Sequence, residues 1–405
     1  MDSAAIIEQL MTAGGREDPY PLYRRAQELG AVTPAGEGII MVSGYREVNE
    51  VLRDGAFRVA DAELRSRWEE GFHDHSSKLL LSLSLLERNE PDHSRMRSQI
   101  ASVFTARRVA ALEPAVAAAV DRLLDEMAEL GAGGAEVDFM ETFAYRLPVT
   151  VICELLGVPT ADRHLFRGLA ADLTAALEPI APEDELAKAD GAADELSDYF
   201  TSLAGERQAR PQDDLVSALV QVAAADPGRL SGRELLANLV LLLVAGFETT
   251  TNLLGNGLSL LLDHPGALAG VRSGAVDPAG YTEEVLRYDS PVQVTSRVSL
   301  GNGLKIGDLE APYGWMSFLL IGAANRDPQR YPDPDRFDPT RRDSRPLSFG
   351  GGAHFCLGAQ LARLESTLAM PALLRRFPAL ARAGAPTRRD RWVLRGYQSL
   401  PITLG

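Results

Sequence analysis

Apolar positions recur at helical spacing through most of this chain and at strand spacing in only a few short runs, which predicts a mainly α protein with minor β. Helical patterns over residues 19–29 and 45–54 flank a short apolar strand, 39–42. Periodicity weakens over 57–86, which carries His73, His75 and Lys78; this reads as a long loop with short helical pieces, the usual setting of a binding lid. Helical patterns follow at 91–104 and 106–130, then an apolar run at 137–156 stopped by Gly157-Val158-Pro159, then 161–177, 183–209 and 213–225. Ser231-x-x-Glu234 has the form of a capping box opening a helix that runs to about Asp263. Beyond Tyr288 strand patterns appear at 292–300 and 304–306, followed by a turn at 311–314 and an apolar run at 315–323. A Pro/Asp/Arg-rich meander covers 325–346, a last helix spans 357–377, and strand-like pieces with a turn at Gly396 close the chain.

Composition narrows the classes. The chain has 405 residues, 45% hydrophobic and 24% charged, and such a length buries roughly 75% of its unfolded surface. A formal charge of −15 disfavours nucleic acid as a partner. The two cysteines, Cys153 and Cys356, form no disulfide framework. The first residues lack the basic and apolar regions of a signal peptide, and the most apolar helical stretch, 235–245, is short of a bilayer span with Glu248 after it. A cytoplasmic protein without a membrane anchor is expected.

The strongest chemical signal is FGGGAHFCLG, Phe349 to Gly358. Glycines at 350, 351, 352 and 358 surround one cysteine that directly precedes a helix, whose N-terminus favours a thiolate. Such a loop suits a soft, anionic, electron-donating ligand to iron. Local chemistry alone leaves a second reading open, an inert thiol buried in a tight turn. Cys153, on an apolar helix with no companion ligand, reads as inert.

The segment resembles the haem-thiolate loop of the cytochromes P450, F-G-x-G-x-H-x-C-x-G, in Phe349, Gly350, Gly352, His354, Cys356 and Gly358. The resemblance implies that Cys356 is the iron ligand, that Phe349 packs near the sulfur, that Gly358 lets the next helix approach, and that His354 meets a haem propionate. Glu284 and Arg287, at i and i+3, are similar to the family's E-x-x-R pair, with Arg336 of the PDRF segment as third member. AGFETTTN, residues 245–252, resembles the distal oxygen-binding motif. Ala245 and Gly246 would leave room for haem and oxygen where the helix locally opens, Thr249 would hydrogen-bond the oxygen, and Glu248 would relay protons. His93, Arg97 and Arg297 match the propionate-binding positions, and Asn325-Arg326-Asp327-Pro328 is architectural in the family. Departures are small: Phe247 at a variable position and Glu90 before Pro-Asp-His.

The likeness runs from about residue 19 to 404, which implies one P450 domain over 1–405: one large helical domain with a smaller β-containing region. It implies a monomeric haem b (iron protoporphyrin IX) monooxygenase that takes electrons from ferredoxin and an NAD(P)H-dependent ferredoxin reductase. Arg107, Arg108, Arg341, Arg342 and Arg363 are the basic residues expected to dock the ferredoxin. Matching the family's substrate regions gives Leu169, Leu173, Leu241, Val244, Ala245, Val292, Val294, Thr295, Tyr397 and Gln398 as pocket walls. Their apolar character points to a hydrophobic secondary metabolite, such as a macrolide or other polyketide, a terpenoid or a modified peptide. Hydroxylation leads, with epoxidation or oxidative coupling behind it. Two other readings stay open, a peroxide-driven enzyme and a catalytically silent P450-like binding or recruitment protein.

Overall fold

Alternation of apolar residues builds a five-stranded sheet in the order Val32–Pro34, Ile39–Val42, Met316–Leu320, Val294–Ser299, Phe57–Arg58. Ile39–Val42 runs parallel to Met316–Leu320, with Ile39 opposite Met316, and the other pairs are antiparallel. Because successive side chains point to opposite faces, Met41, Phe318 and Leu320 join one apolar cluster with Ile6, Leu10, Tyr23 and Trp392. Ile40, Val42 and Leu319 join another with Val48, Phe57 and Ile321.

This computed structural model describes all 405 residues, whose contacts fall into two units. The first comprises Met1–Arg58, Val120–Ala144 and Thr249–Gly405, and holds every strand. It includes the helix Pro278–Tyr288 and the last helix, Ala359–Arg376. The second, Val59–Ala119 with Tyr145–Glu248, has helices and turns only, among them Asp92–Val103, Arg146–Leu156 and the 27-residue Glu183–Ala209. In this second unit Asp190 of the long helix accepts hydrogen bonds from the backbone N–H and hydroxyl of Ser77, at 2.9 and 2.6 Å, and pairs with His75 at 2.8 Å. That fastens the weakly periodic 57–86 segment, which contains the short helices Ala62–Trp68 and Ser76–Ser82.

Several boundaries differ from the sequence pattern. The run 106–130 breaks at Leu112 into Ala106–Ala111 and Glu113–Leu130, because Pro114 is tolerated only in a first turn. The apolar 137–156 run is a strand, Val137–Asp138, a π-helical turn, Met140–Ala144, and the helix Arg146–Leu156. Asp138 accepts the Met140 N–H at 2.8 Å and the strand pairs with Pro401–Thr403, and both draw the first residues out of a helix. Residues 160–177 form three short helical pieces rather than one helix.

The capping box forms as expected: Ser231 N–H and hydroxyl both donate to Glu234 at 2.9 Å, and Glu234 N–H donates back at 3.3 Å. It opens the helix Gly232–Asp263, which passes through residues 245–252 without a break in its helical assignment, so the expected local opening is absent. By length and composition this 32-residue helix is apolar enough to cross a membrane, contrary to the short stretch read from sequence. Its most apolar window is 61% buried inside the protein, as in a core helix.

Candidate haem-thiolate site

In the first unit the cysteine loop is held at its leading end. Asn325 donates to Ser348 Oγ at 2.9 Å and accepts the Leu347 N–H at 2.7 Å, while Ser348 donates to the Leu286 carbonyl at 2.7 Å. The Asn-Arg-Asp-Pro segment thus fixes the chain just ahead of Phe349. The loop then closes on itself through a hydrogen bond from Cys356 N–H to the Phe349 carbonyl, 2.9 Å. Gly352 has φ +63° and lies so near Tyr45–Arg53 that a Cβ would stand 2.3 Å from the Leu52 carbonyl oxygen. Only glycine meets both conditions. Cys356 emerges as an exposed thiol outside any disulfide, two residues ahead of Gly358, which precedes the helix Ala359–Arg376. A Cβ on Gly358 would stand 4.0 Å from the sulfur, an ordinary contact. The other thiol, Cys153 in the second unit, is buried, and desolvation pushes its pKa up to about 12.

Behind the loop, Arg287 and Glu284 are both wholly buried and joined by two parallel bonds of 2.7 and 2.8 Å. Arg287 also donates to the carbonyls of Asn325, Pro334 and Arg336, and Glu284 accepts the Asp338 N–H at 2.8 Å. Arg336 is not the third charged member. Its side chain is exposed and pairs with Asp338 at 2.7 Å, so it contributes only its carbonyl. The second cation on Glu284 is Arg341, 3.4 Å away and nearly buried. Of the basic residues expected to dock ferredoxin, Arg341 is engaged in this way, and Arg363 is bound to Glu283 by bonds of 2.5 and 3.1 Å. Arg108, in the second unit, lies 3.5 Å from Asp213.

Arg297 is 6% exposed, and desolvation pulls its pKa down to about 10. Its Nη1 donates to the Ser296 carbonyl at 2.7 Å and reaches Thr295 Oγ1 at 3.5 Å, with no carboxylate of the protein in reach. A buried guanidinium without an acid is costly, and a haem propionate is the kind of anion it lacks. With the exposed thiol of Cys356 in the same unit, these residues fit a haem.

The wall residues in this unit divide. Val292 and Thr295 are half-buried and Gln398 is exposed. Val294, by contrast, is 2% exposed inside the apolar cluster with Tyr23 and Trp392, since alternation along its strand turns it to that face. Tyr397 is also buried, its hydroxyl paired with Ser259 at 2.9 Å and accepting from Arg388 at 2.8 Å. Both are packing residues.

In the second unit His93 is buried and Arg97 half-buried on Asp92–Val103. Leu241 and Ala245, one turn apart, stay open on a helix whose Val240, Leu243 and Phe247 are buried. Glu248 is 1% exposed, and Thr249, which follows it at the start of a first-unit segment, is half-buried. Gly246 does not serve the role expected of it. A Cβ there would meet Ile152 at 2.7 Å, so the missing side chain admits the helix Arg146–Leu156. Leu169 is half-buried, Val244 buried and Leu173 fully so.

Sequence reading gave Arg341 and Arg363 to docking and missed their contacts with Glu284 and Glu283. The adjacent glutamates of EEVLR were the available signal, since each takes its own arginine.

The sequence profile described as Cytochrome P450 matches residues 22–273 and 281–400. The chain is 38% identical to cytochrome P450 monooxygenase PikC of Streptomyces venezuelae, over 95% of this chain and 91% of that protein. It is 36% identical to 6-deoxyerythronolide B hydroxylase of Saccharopolyspora erythraea, over 96% of both. Among solved structures, P450BioI in complex with a hexadec-9Z-enoic acid-ligated acyl carrier protein superposes with a TM-score of 0.89 at 32% identity, covering 97% of this chain and 100% of that one. Motifs, fold and relatives agree, and the chain belongs to the cytochrome P450 family of haem-dependent monooxygenases.

Proposed function

We propose that the chain binds haem b and hydroxylates a hydrophobic secondary metabolite in the cytoplasm, with electrons from a ferredoxin and its NAD(P)H-dependent reductase. The observation that carries this reading is Arg297, a buried guanidinium with no protein carboxylate in reach, in the unit that presents the exposed thiol of Cys356. Cys356 would ligate the iron, while Arg297, His93, Arg97 and His354 would hold the propionates. When bound, haem supplies oxygen activation, which a thiolate ligand favours by donating electron density. Glu248 and the hydroxyl of Thr249 would hold and pass protons. Leu169, Leu241, Ala245, Val292 and Thr295 would orient an apolar substrate and exclude water. The name of one relative, 6-deoxyerythronolide B hydroxylase, supports a macrolide as the first substrate class to screen.

The test is the carbon monoxide difference spectrum of the reduced protein, followed by a substrate screen. A band at about 450 nm is expected for thiolate-ligated haem. A macrolide should then shift the ferric spin state and be hydroxylated with a ferredoxin and reductase. Absence of haem from protein expressed with ample haem defeats the reading. Full turnover with peroxide alone would replace the redox partners.

A further inference from the structure

Arg363 stands two turns beyond Cys356 on the helix Ala359–Arg376, where a ferredoxin-docking cation was expected. Its geometry serves something else. Nε and Nη2 donate to the two carboxylate oxygens of Glu283, at 2.5 and 3.1 Å, and the guanidinium carbon stands 4.4 Å from the centre of the Phe349 ring. Nη1 turns back to the Ala359 carbonyl at 3.4 Å. Phe349 is the residue whose carbonyl accepts the Cys356 N–H. An unbroken series of contacts therefore runs from Glu283 through Arg363 and the Phe349 ring to the backbone of Cys356. Glu283 sits beside Glu284, whose carboxylate binds Arg287 and Arg341, so adjacent residues of one helix serve the loop and the meander.

We propose that Glu283 and Arg363 form a clamp on Phe349 that positions the Cys356 loop while each cancels the other's charge behind it. This rests on the haem-thiolate reading above and makes Arg363 a positioning residue. A guanidinium is attracted to the face of an aromatic ring, and two parallel bonds to a carboxylate fix its plane. Glu283 neutralises the cation, so the pair adds little net charge near the thiolate while both members are present. Removing either member exposes the other's charge, and the two removals act in opposite directions.

The experiment compares ferric–ferrous midpoint potentials of the haem-loaded wild type, Arg363→Gln, Glu283→Gln, the double variant and Arg363→Lys, with the carbon monoxide spectrum of each. Arg363→Gln leaves a carboxylate, which favours the ferric state, so its potential should fall. Glu283→Gln leaves a cation, so its potential should rise. The double variant should return toward wild type, Arg363→Lys should stay near it, and all should keep the thiolate-ligated spectrum. Shifts of the same sign, no shift, or joint conversion to the thiolate-lost form would overturn the clamp. So would an unchanged potential in Arg363→Gln with slower reduction by ferredoxin, the mark of a docking residue. A wild type that lacks the thiolate-ligated spectrum defeats the haem-thiolate reading itself, and a wild type that has it leaves the variants to judge the clamp alone.

Discussion

A buried guanidinium persists only where something offsets its lost hydration, and the protein gives Arg297 one backbone carbonyl and a distant hydroxyl. Haem carboxylates would complete it, so Arg297→Leu should speed haem loss, read as transfer to an excess of an apo haem-binding protein. Because the variant also removes an uncompensated charge, the haem-free protein should lose no stability in urea. A purely structural role for Arg297 predicts the reverse. The cysteines show the same dependence on surroundings. Cys153 is kept protonated by desolvation, whereas Cys356 is exposed three residues ahead of a helix.

At the scale of helices, two features of Gly232–Asp263 make opposite demands. Gly246 lets it approach Arg146–Leu156, so Gly246→Ala should cost about 1–3 kcal/mol through overpacking against Ile152. Ile152→Ala alone should also destabilise, yet the double variant should be more stable than the two losses summed, as a denaturation cycle would read. At the helix start Glu234 meets Arg95 at 2.6 Å and caps through Ser231. Burial works to raise its pKa, but the bonds from Arg95 and Ser231 outweigh that and lower it from 4.5 to about 2. A folded pKa below the unfolded one stabilises above 4.5, and the gain is lost as pH falls toward 2. The urea midpoints of wild type and Glu234→Gln should therefore differ at neutral pH and converge through that window.

Across the whole chain, the first unit joins segments far apart in sequence at Asp289. Its carboxylate accepts from Tyr20 at 2.6 Å, Arg395 at 2.8 Å and Arg388 at 3.2 Å, and Arg395 reaches on to the carbonyls of Arg16 and Glu17. Burial tends to raise the Asp289 pKa, but these cations and the Tyr20 hydroxyl hold it far below the carboxylate range. Asp289→Asn should cost about 3–5 kcal/mol, the range for stripping one partner from a buried ion pair. It should also speed limited proteolysis near the N-terminus. An unchanged cleavage rate would deny Asp289 this role. The second unit has its own tie, Asp190 with His75 and Ser77, which local patterning of 57–86 gave no sign of.

The sequence by itself determined most helices, because apolar spacing and caps act within a few turns: 183–209 and the end at Asp263 match the structure, as does the strand 39–42. It also determined the Glu284–Arg287 pair, since i and i+3 share a helix face. Only the tertiary structure decided which arginine serves which acid. Arg336, Arg341 and Arg363 are alike as letters, yet Arg336 takes Asp338 two residues on, whereas Arg341 and Arg363 reach Glu284 and Glu283, 57 and 80 residues back. It also decided that Gly246 faces a helix and that Val294 and Tyr397 pack inward. Which side of an element a neighbour covers depends on residues that local patterning does not contain.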